Sequence, residues 1–582
     1  MTKLVTKAIV IGQALLLVTF AAAWAGPQQD AQQAYQQDVA RSVKPGAVEQ
    51  SLEPPMGSAF TDMPDILVRD RATGGLMGGD EVEFVLKDIR FSGNETFDSR
   101  ELYDLLGEYA GRTVQVSALT EMADRITRYY HQEGLILSRA FVPPQTIDGG
   151  VVTIQILEGR LGQVKVLGNE RYKEKIIKGV MNHVKNRGAV STDSLERALL
   201  LLMDYPGLRV RATLAAGETP GTTDIIVECT EAKIWQAGLE YDNFGSEYVA
   251  ANRIGATLNF ANPTGYGDSL GFRFNLGPDM GDDDGHLQYA RADWVVPVNT
   301  RGTRVGLAGS RVRYEVGEEL AVLDIAAESD LVSGWVSHPF IRSRNLSLWC
   351  EAGLDINRIR YDMFDITLYE EDLHVGRLGT HLEWLDRWDG RTVVAANLYK
   401  GFSDEEIKSR LYADSTFLKV TGDIRRFQDL PGEFTGIFAL SGQFTTDRLP
   451  ASEEFVLGGA GTIRGYAQGD YSGDHGVYYS AEIRYPLWTQ GSLDWQKESG
   501  LSGNWTIQLA GFADFGRVWV KDNMPAELSD ANMGGLGLGL RVAYAPYLQA
   551  KLDWAKAVMG DKPLDPGTEE DGAWYLQIAV SY

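Results

Sequence analysis

From about Ile234 to the last residue, Tyr582, apolar and polar residues alternate in one short segment after another. Ile254, Ala256, Leu258 and Phe260 alternate with Arg253, Gly255, Thr257 and Asn259. Leu270, Phe272, Phe274 and Leu276 alternate with Ser269, Gly271, Arg273 and Asn275. Near the end, Leu536, Leu538, Leu540, Val542 and Tyr544 alternate with Gly535, Gly537, Gly539 and Arg541, and Trp574, Leu576, Ile578, Val580 and Tyr582 share one face. Successive side chains of a strand point to opposite faces, so each segment has one apolar side and one polar side. A soluble sandwich turns its polar side outward. A membrane barrel shows the apolar side to lipid and keeps the polar one for its lumen. At roughly ten residues per strand plus turns, the region predicts about sixteen antiparallel strands, a size that leaves an aqueous channel.

The N-terminal residues have a different character. Lys3 and Lys7 precede an apolar run from Ala8 to about Ala23, and Ala23-Trp24-Ala25 offers small residues for cleavage, which predicts a signal peptide over residues 1–25. The run is short for a transmembrane anchor in a bilayer of roughly 30 Å. Within 26–80, Ala31, Tyr35, Val39 and Val43 recur at a spacing of four, a narrow apolar stripe on an otherwise polar helix over about 28–44 that Pro45 would end. Such a helix is either a disordered leader or an element resting in a water-filled cavity. Residues 46–80, with Pro54, Pro55, Pro64 and several glycines, predict a flexible linker.

Residues 82–158 and 161–231 read as two copies of one α+β unit with the order strand, helix, helix, strand, strand. Each opens with a strand ending in a Gly-Asn turn, Ile89 to Asn94 in the first copy and Val164 to Asn169 in the second. Leu102, Leu105, Leu106 and Tyr109, then Leu119, Met122, Ala123 and Ile126 after a Ser117 cap, lie at helical spacing in the first copy, as Leu195, Ala198, Leu199 and Leu202 do in the second. Three strands covered by two helices leave an edge free to accept an extended polypeptide, which makes the pair a binding module or, at its plainest, a spacer.

A net charge of −25 argues against nucleic acid as a partner. The chain has no phosphate-binding Gly-rich loop ending in Lys and Ser or Thr and no His-Glu-x-x-His, and its seven histidines do not cluster. The sequence therefore predicts neither an enzyme nor a bound metal or cofactor. Cys229 and Cys350 fall in different predicted domains and read as separate thiols.

One glycine-rich loop, FVLGGAGTIRGY from Phe455 to Tyr466, interrupts the strand pattern and carries Arg464, Gly465 and Tyr466. In Trp505 to Gly516, the apolar Trp505, Ile507 and Leu509 face lipid, so strict alternation turns Phe512, Asp514 and Gly516 to the lumen. A guanidinium and a carboxylate make paired, directional hydrogen bonds, so Arg464 and Asp514 could latch the loop inside the barrel, with Gly516 leaving room for its backbone and Tyr466 and Phe512 packed alongside. The plainer reading keeps Asp514 as a solvated lumen charge and Arg464 at the surface.

Several short motifs in order give the chain a resemblance. They are Phe141-Val142-Pro143-Pro144-Gln145 with Leu157-Glu158-Gly159-Arg160, Asp242-Asn243-Phe244-Gly245, and Asn262-Pro263 with Gly267-Asp268. Ile463-Arg464-Gly465-Tyr466, Gly473-Asp474-His475-Gly476, Glu482-Ile483-Arg484-Tyr485-Pro486 and Phe512-x-Asp514-x-Gly516 follow. The chain resembles the outer-membrane transporters of two-partner secretion, which export hemolysins and filamentous adhesins. The resemblance implies a sixteen-stranded outer-membrane barrel (234–582), two periplasmic POTRA domains (82–158 and 161–231), a plug helix and an inward-folded sixth extracellular loop. It places Arg464, Gly465 and Tyr466 on that loop and Phe512, Asp514 and Gly516 on the wall. It also implies an unfolded secreted exoprotein as partner, outer-membrane lipid around the barrel, and export through the pore. An assembly factor for other barrels is the second reading, and a barrel enzyme or passive pore the third.

Overall fold

The computed structural model describes residues 45–52, 66–68, 83–186, 189–219, 221–277, 285–403, 407–410, 412–491, 503–522, 530–564 and 566–582. The expected signal peptide (1–25) and the expected helix over 28–44 lie outside them.

Sixteen antiparallel strands, from Trp235–Asp242 to Ala573–Ser581, close into a barrel in which every strand pairs with its sequence neighbours. The cylinder shuts where the last strand returns to the first, with Leu239 opposite Val580 and Tyr241 opposite Ile578. Closure leaves no sheet edge, which a spanning sheet requires because lipid offers backbone groups no partner. The alternation sets the faces. Leu239, Leu307, Val332, Leu378 and Leu538 are each more than half exposed on the outer wall, while Asn275, Glu371, Asp514 and Asp553 are buried on the inner one. Such an apolar outer surface suits lipid and would aggregate in water. Among the described residues no helix is long and apolar enough to cross a membrane.

Two small α+β domains precede the barrel. In the first, Val151–Leu157 is flanked by Asp88–Ser92, parallel, and Arg139–Phe141, antiparallel. In the second, Thr222–Glu231 lies between Arg160–Leu167, parallel, and Leu208–Ala216, antiparallel. The repeat extends to single atoms. Gly93 and Gly168 both take positive φ, +81° and +76°, because their backbones press on the Ile156 and Cys229 carbonyls; an added Cβ would sit 2.3 and 2.4 Å away. Asn94 and Asn169 each donate Nδ2 to a backbone carbonyl three residues on, both at 3.0 Å. Glu158 accepts from Thr96, and Glu231 from the backbone of Glu170, Arg171 and Tyr172, so each domain's last strand pins the loop after its first. The second helix of the first domain starts at Val116 rather than on a Ser117 cap, because Thr113–Gln115 is held as a strand against Glu83–Val85.

The second domain sits on the turns at one end of the barrel. Asp204 makes a two-pronged pair with Arg342 at 2.6 and 3.0 Å, and Glu196 accepts from the Arg344 backbone at 2.8 Å.

The flexible-linker reading of 46–80 needs correction at two places. Pro45 opens a helix, Pro45–Leu52, as proline's fixed φ and missing N–H suit a first turn. Its Val48 and Leu52 are buried against the inner wall with Tyr248, Leu287 and Tyr314. Ile66–Val68 forms a strand that pairs in parallel with Ala212–Leu214 at the edge of the second domain's sheet.

Candidate functional site

The chain between the strands Thr435–Thr445 and His475–Gly491 forms the sixth loop on the face opposite the two domains. It folds inward as a ribbon, Phe455–Leu457 paired with Tyr471–Gly473, and presents its tip to the wall. Gly458, Gly459 and Gly465 hold φ between +97° and +110°, a region open to glycine and strained for other residues.

Five consecutive strands supply the wall. Asp514 grips Arg464 side-on, accepting from Nε at 2.7 Å and Nη2 at 3.0 Å, and from the Arg464 backbone N–H at 3.2 Å. Nη1 donates to Glu482 at 2.8 Å and Asp553 at 3.3 Å. Ser480 donates to Asp514 at 2.6 Å. The guanidinium also lies over the Phe512 ring, 3.3 Å from its centre. Around this core, Arg541 bonds both Glu482 and Asp553, Arg484 pairs with Glu482 at 2.7 Å, and Lys551 stands 3.1 Å from Asp553. Three buried carboxylates are thus shared by four cations, and none is left as an unpaired charge in the wall.

Small residues admit the tip. A Cβ on Gly535 would lie 1.8 Å from the Arg464 carbonyl oxygen, and one on Gly537 2.3 Å from the Phe512 ring. The loop's own Gly465 meets the backbone of Lys556 and Ala557 at under 3 Å for a hypothetical Cβ. Gly465 N–H donates to the Tyr575 hydroxyl at 3.0 Å, which donates to the Tyr466 carbonyl at 2.7 Å.

Arg464, Phe512 and Asp514 therefore meet in one contact. Two details differ from the sequence reading. Tyr466 does not pack beside the ion pair; it is buried with Ile463, Leu457 and Met533, and its hydroxyl reaches the Met559 and Asp561 carbonyls. Gly516 makes room for the side chains of Leu457 and Ile463, whereas Gly535 admits the backbone. Glu482, Asp553, Arg541 and Tyr575 were not foreseen. Each faces inward by simple alternation, and Glu482 stands in a quoted motif, so the signal was present but lacked the register that joins the strands.

A cavity of about 880 Å³ lies between this contact and the helix Pro45–Leu52, lined by Arg464, Glu482, Arg541, Arg273, Gln50 and Ser51 among others. Ser51 accepts from Arg253, itself paired with Asp242 at 2.8 Å, which ties the helix to the first two strands of the barrel.

The family model described as haemolysin secretion/activation protein ShlB/FhaC/HecB matches residues 221–542. The ShlB-type POTRA domain matches residues 84–159. The heme/hemopexin transporter protein HuxB of Haemophilus influenzae (strain 86-028NP) is 24% identical over 426 residues, 71% of this chain and 74% of that one. The outer membrane transporter CdiB of Dickeya dadantii is 22% identical over 421 residues, 70% and 73% of the two chains. Among solved structures, CdiB from Escherichia coli superposes with a TM-score of 0.71 at 19% identity, covering 96% of this chain and 99% of that one. CdiB from Acinetobacter baumannii gives 0.63 at 15%, covering 96% and 100%. At these identities the structures speak for the fold.

Proposed function

The chain belongs to the haemolysin secretion/activation protein family ShlB/FhaC/HecB, and from that premise we propose how it moves a secreted protein partner across the outer membrane. The barrel spans that membrane and the two domains stand in the periplasm. The passenger arrives unfolded and binds the domains as an added strand. The second domain's sheet already carries such a strand in Ile66–Val68, paired with Ala212–Leu214, which is the support for strand addition at that edge. The passenger's segment then competes with residues 66–68. Because those residues lead back to the helix Pro45–Leu52, their displacement loosens the helix from the lumen. Folding of the exported chain outside removes it from the binding equilibrium and gives the process direction without a nucleotide. No covalent bond is made or broken.

The observation that carries this reading is the loop tip held inside the closed barrel by Arg464 and Asp514. We read the contact as a latch that fixes the loop in the channel. Co-expression with candidate partners, scored by the appearance of each in the medium, tests the function; a barrel that exports none of the large secreted proteins encoded beside it would refute it.

Two further results are expected. Gly535→Val should secrete as poorly as a variant lacking the arginine, since its side chain overlaps the Arg464 carbonyl. Normal secretion by this variant would show that the tip need not be seated. Deleting residues 45–52 should raise ion conductance in a planar bilayer, because the helix and its Arg253 tether occupy the lumen. Equal conductance with and without the helix would remove it as a plug.

A further inference from the structure

The motif Gly473-Asp474-His475-Gly476 takes no part in seating the loop tip, yet Asp474 is wholly buried. Its carboxylate lies where the sixth loop rejoins the barrel, and both oxygens are fully engaged. Oδ1 accepts from Arg410 Nη1 and from the Leu449 N–H, both at 2.7 Å. Oδ2 accepts from Arg410 Nη2 at 3.0 Å and from the Lys521 N–H at 2.8 Å. The donors come from three places: Arg410 from the fifth loop, Leu449 from the start of the sixth, and Lys521 from the seventh. Arg410 also stands 3.0 Å from the buried Glu454, to which Ser472 donates at 3.0 Å. Gln50, on the helix in the lumen, donates to the Glu454 carbonyl at 2.9 Å. A single ion pair therefore binds both sides of the sixth loop's neck to its two neighbours. Departure of the fifth or the sixth loop strands a buried charge, and departure of the seventh leaves the Asp474 carboxylate short of a donor.

We propose that Asp474 and Arg410 form a second lock, separate from the Arg464 latch, which clamps three extracellular loops across the outer mouth and opens when a passenger leaves. The idea rests on the translocation reading above. The tip and the neck sit at the two ends of the inward-folded ribbon, so the mouth can open while the tip stays seated. Glu454 touches both the lock and the helix, so the outer mouth is in contact with an element that reaches back toward the periplasmic domains.

Two measurements on the full-length protein test this. In planar bilayers without passenger, Arg410→Ala should open roughly a hundredfold more often than the parent, the scale expected when one partner of a buried pair is removed. An unchanged opening frequency in a folded barrel would overturn the lock. The second uses a cross-link. Ser409 and Ala451 adjoin across the neck, the Ala451 N–H donating to Ser409 Oγ at 3.4 Å. Ser409→Cys with Ala451→Cys, in a chain whose Cys229 and Cys350 are serine, should secrete when reduced and stop when oxidised. Fully cross-linked protein that secretes at the reduced rate would show that the neck never opens, and this arm decides should Arg410→Ala fail to assemble. The conductance arm needs no passenger, so it judges the lock even where the translocation reading fails.

Discussion

Arg464→Ala should lower the passenger found in the medium by roughly a hundredfold or more while leaving an assembled barrel. The side chain makes a two-pronged bond to Asp514, single bonds to Glu482 and Asp553, and lies on the Phe512 ring. Its loss strands carboxylates that are buried in the wall. Removing one partner of a buried pair costs about 3–5 kcal/mol, enough to shift the ratio of seated to released loop by at least a hundredfold. The barrel itself has little stake in the contact, since each strand keeps its full ladder of backbone bonds, for instance Asn504 to Trp519 against both neighbours. Asp514→Ala should match it, and the double variant should be no worse than either single one, because both remove the same interaction. Arg464→Lys should fall between, as an ammonium cannot fork onto Asp514, reach Glu482 and lie flat on a ring together. Immunoblotting of the medium, with heat-shifted gel mobility as the check on folding, decides the matter. Full secretion by both alanine variants would end the latch.

The sequence made the wall legible to different depths. A strand's alternation needs only its own residues, so Phe512 and Asp514 declare their inward face without any partner. Which other inward residues meet them depends on register between strands, and that is set by turns whose lengths carry no periodic signal. Ser480 faces Asp514, Asp514 faces Gly535, and Gly539 faces Asp553 only once three hairpins are aligned. The glycines at 535, 537 and 539 form a stripe in the sequence, yet their separate purposes appear only in the fold: Gly535 admits the loop, Gly537 the Phe512 ring and Gly539 the Asp553 and Arg541 side chains. Loops have no period at all, which is why the burial of Tyr466 with Ile463, Leu457 and Met533 is not legible in the sequence. The segment before the first domain failed for another reason. Ile66–Val68 is too short to show a pattern, and its partner at Ala212–Leu214 is distant in sequence. Pro45 reads equally as the end of one helix or the first residue of another, and the composition around it does not choose.

Deleting residues 82–158 should weaken the partner's affinity for the periplasmic face by about tenfold or more, some 1.4 kcal/mol at the least. The first domain's sheet ends on Arg139–Phe141, which is paired on one side with Val151–Leu157 and carries no second strand among the described residues. The corresponding strand of the second domain, Leu208–Ala216, is already covered by Ile66–Val68. The first domain therefore offers an edge with no strand on it, where an arriving strand need displace only the side-chain bonds of Thr127 to Ala140 and His131 to the Ser138 carbonyl, and the second offers one that must be won by exchange. Removing the first domain leaves only the contested edge. The rest should stay folded, because the second domain has its own core of Ile177, Leu195, Leu199, Ile225 and Val227 and its own ion pair to the barrel through Asp204. The joint between the domains consists of the Val190 N–H to the Gly159 carbonyl, the Thr192 N–H to the Gly134 carbonyl, the Arg160–Glu95 ion pair and Leu137 packed on the second domain's core. Titrating purified partner against the shortened protein in detergent gives the answer. An affinity equal to the parent's would mean that the passenger is first met by the second domain alone, and that the strand at 66–68 is displaced from the outset.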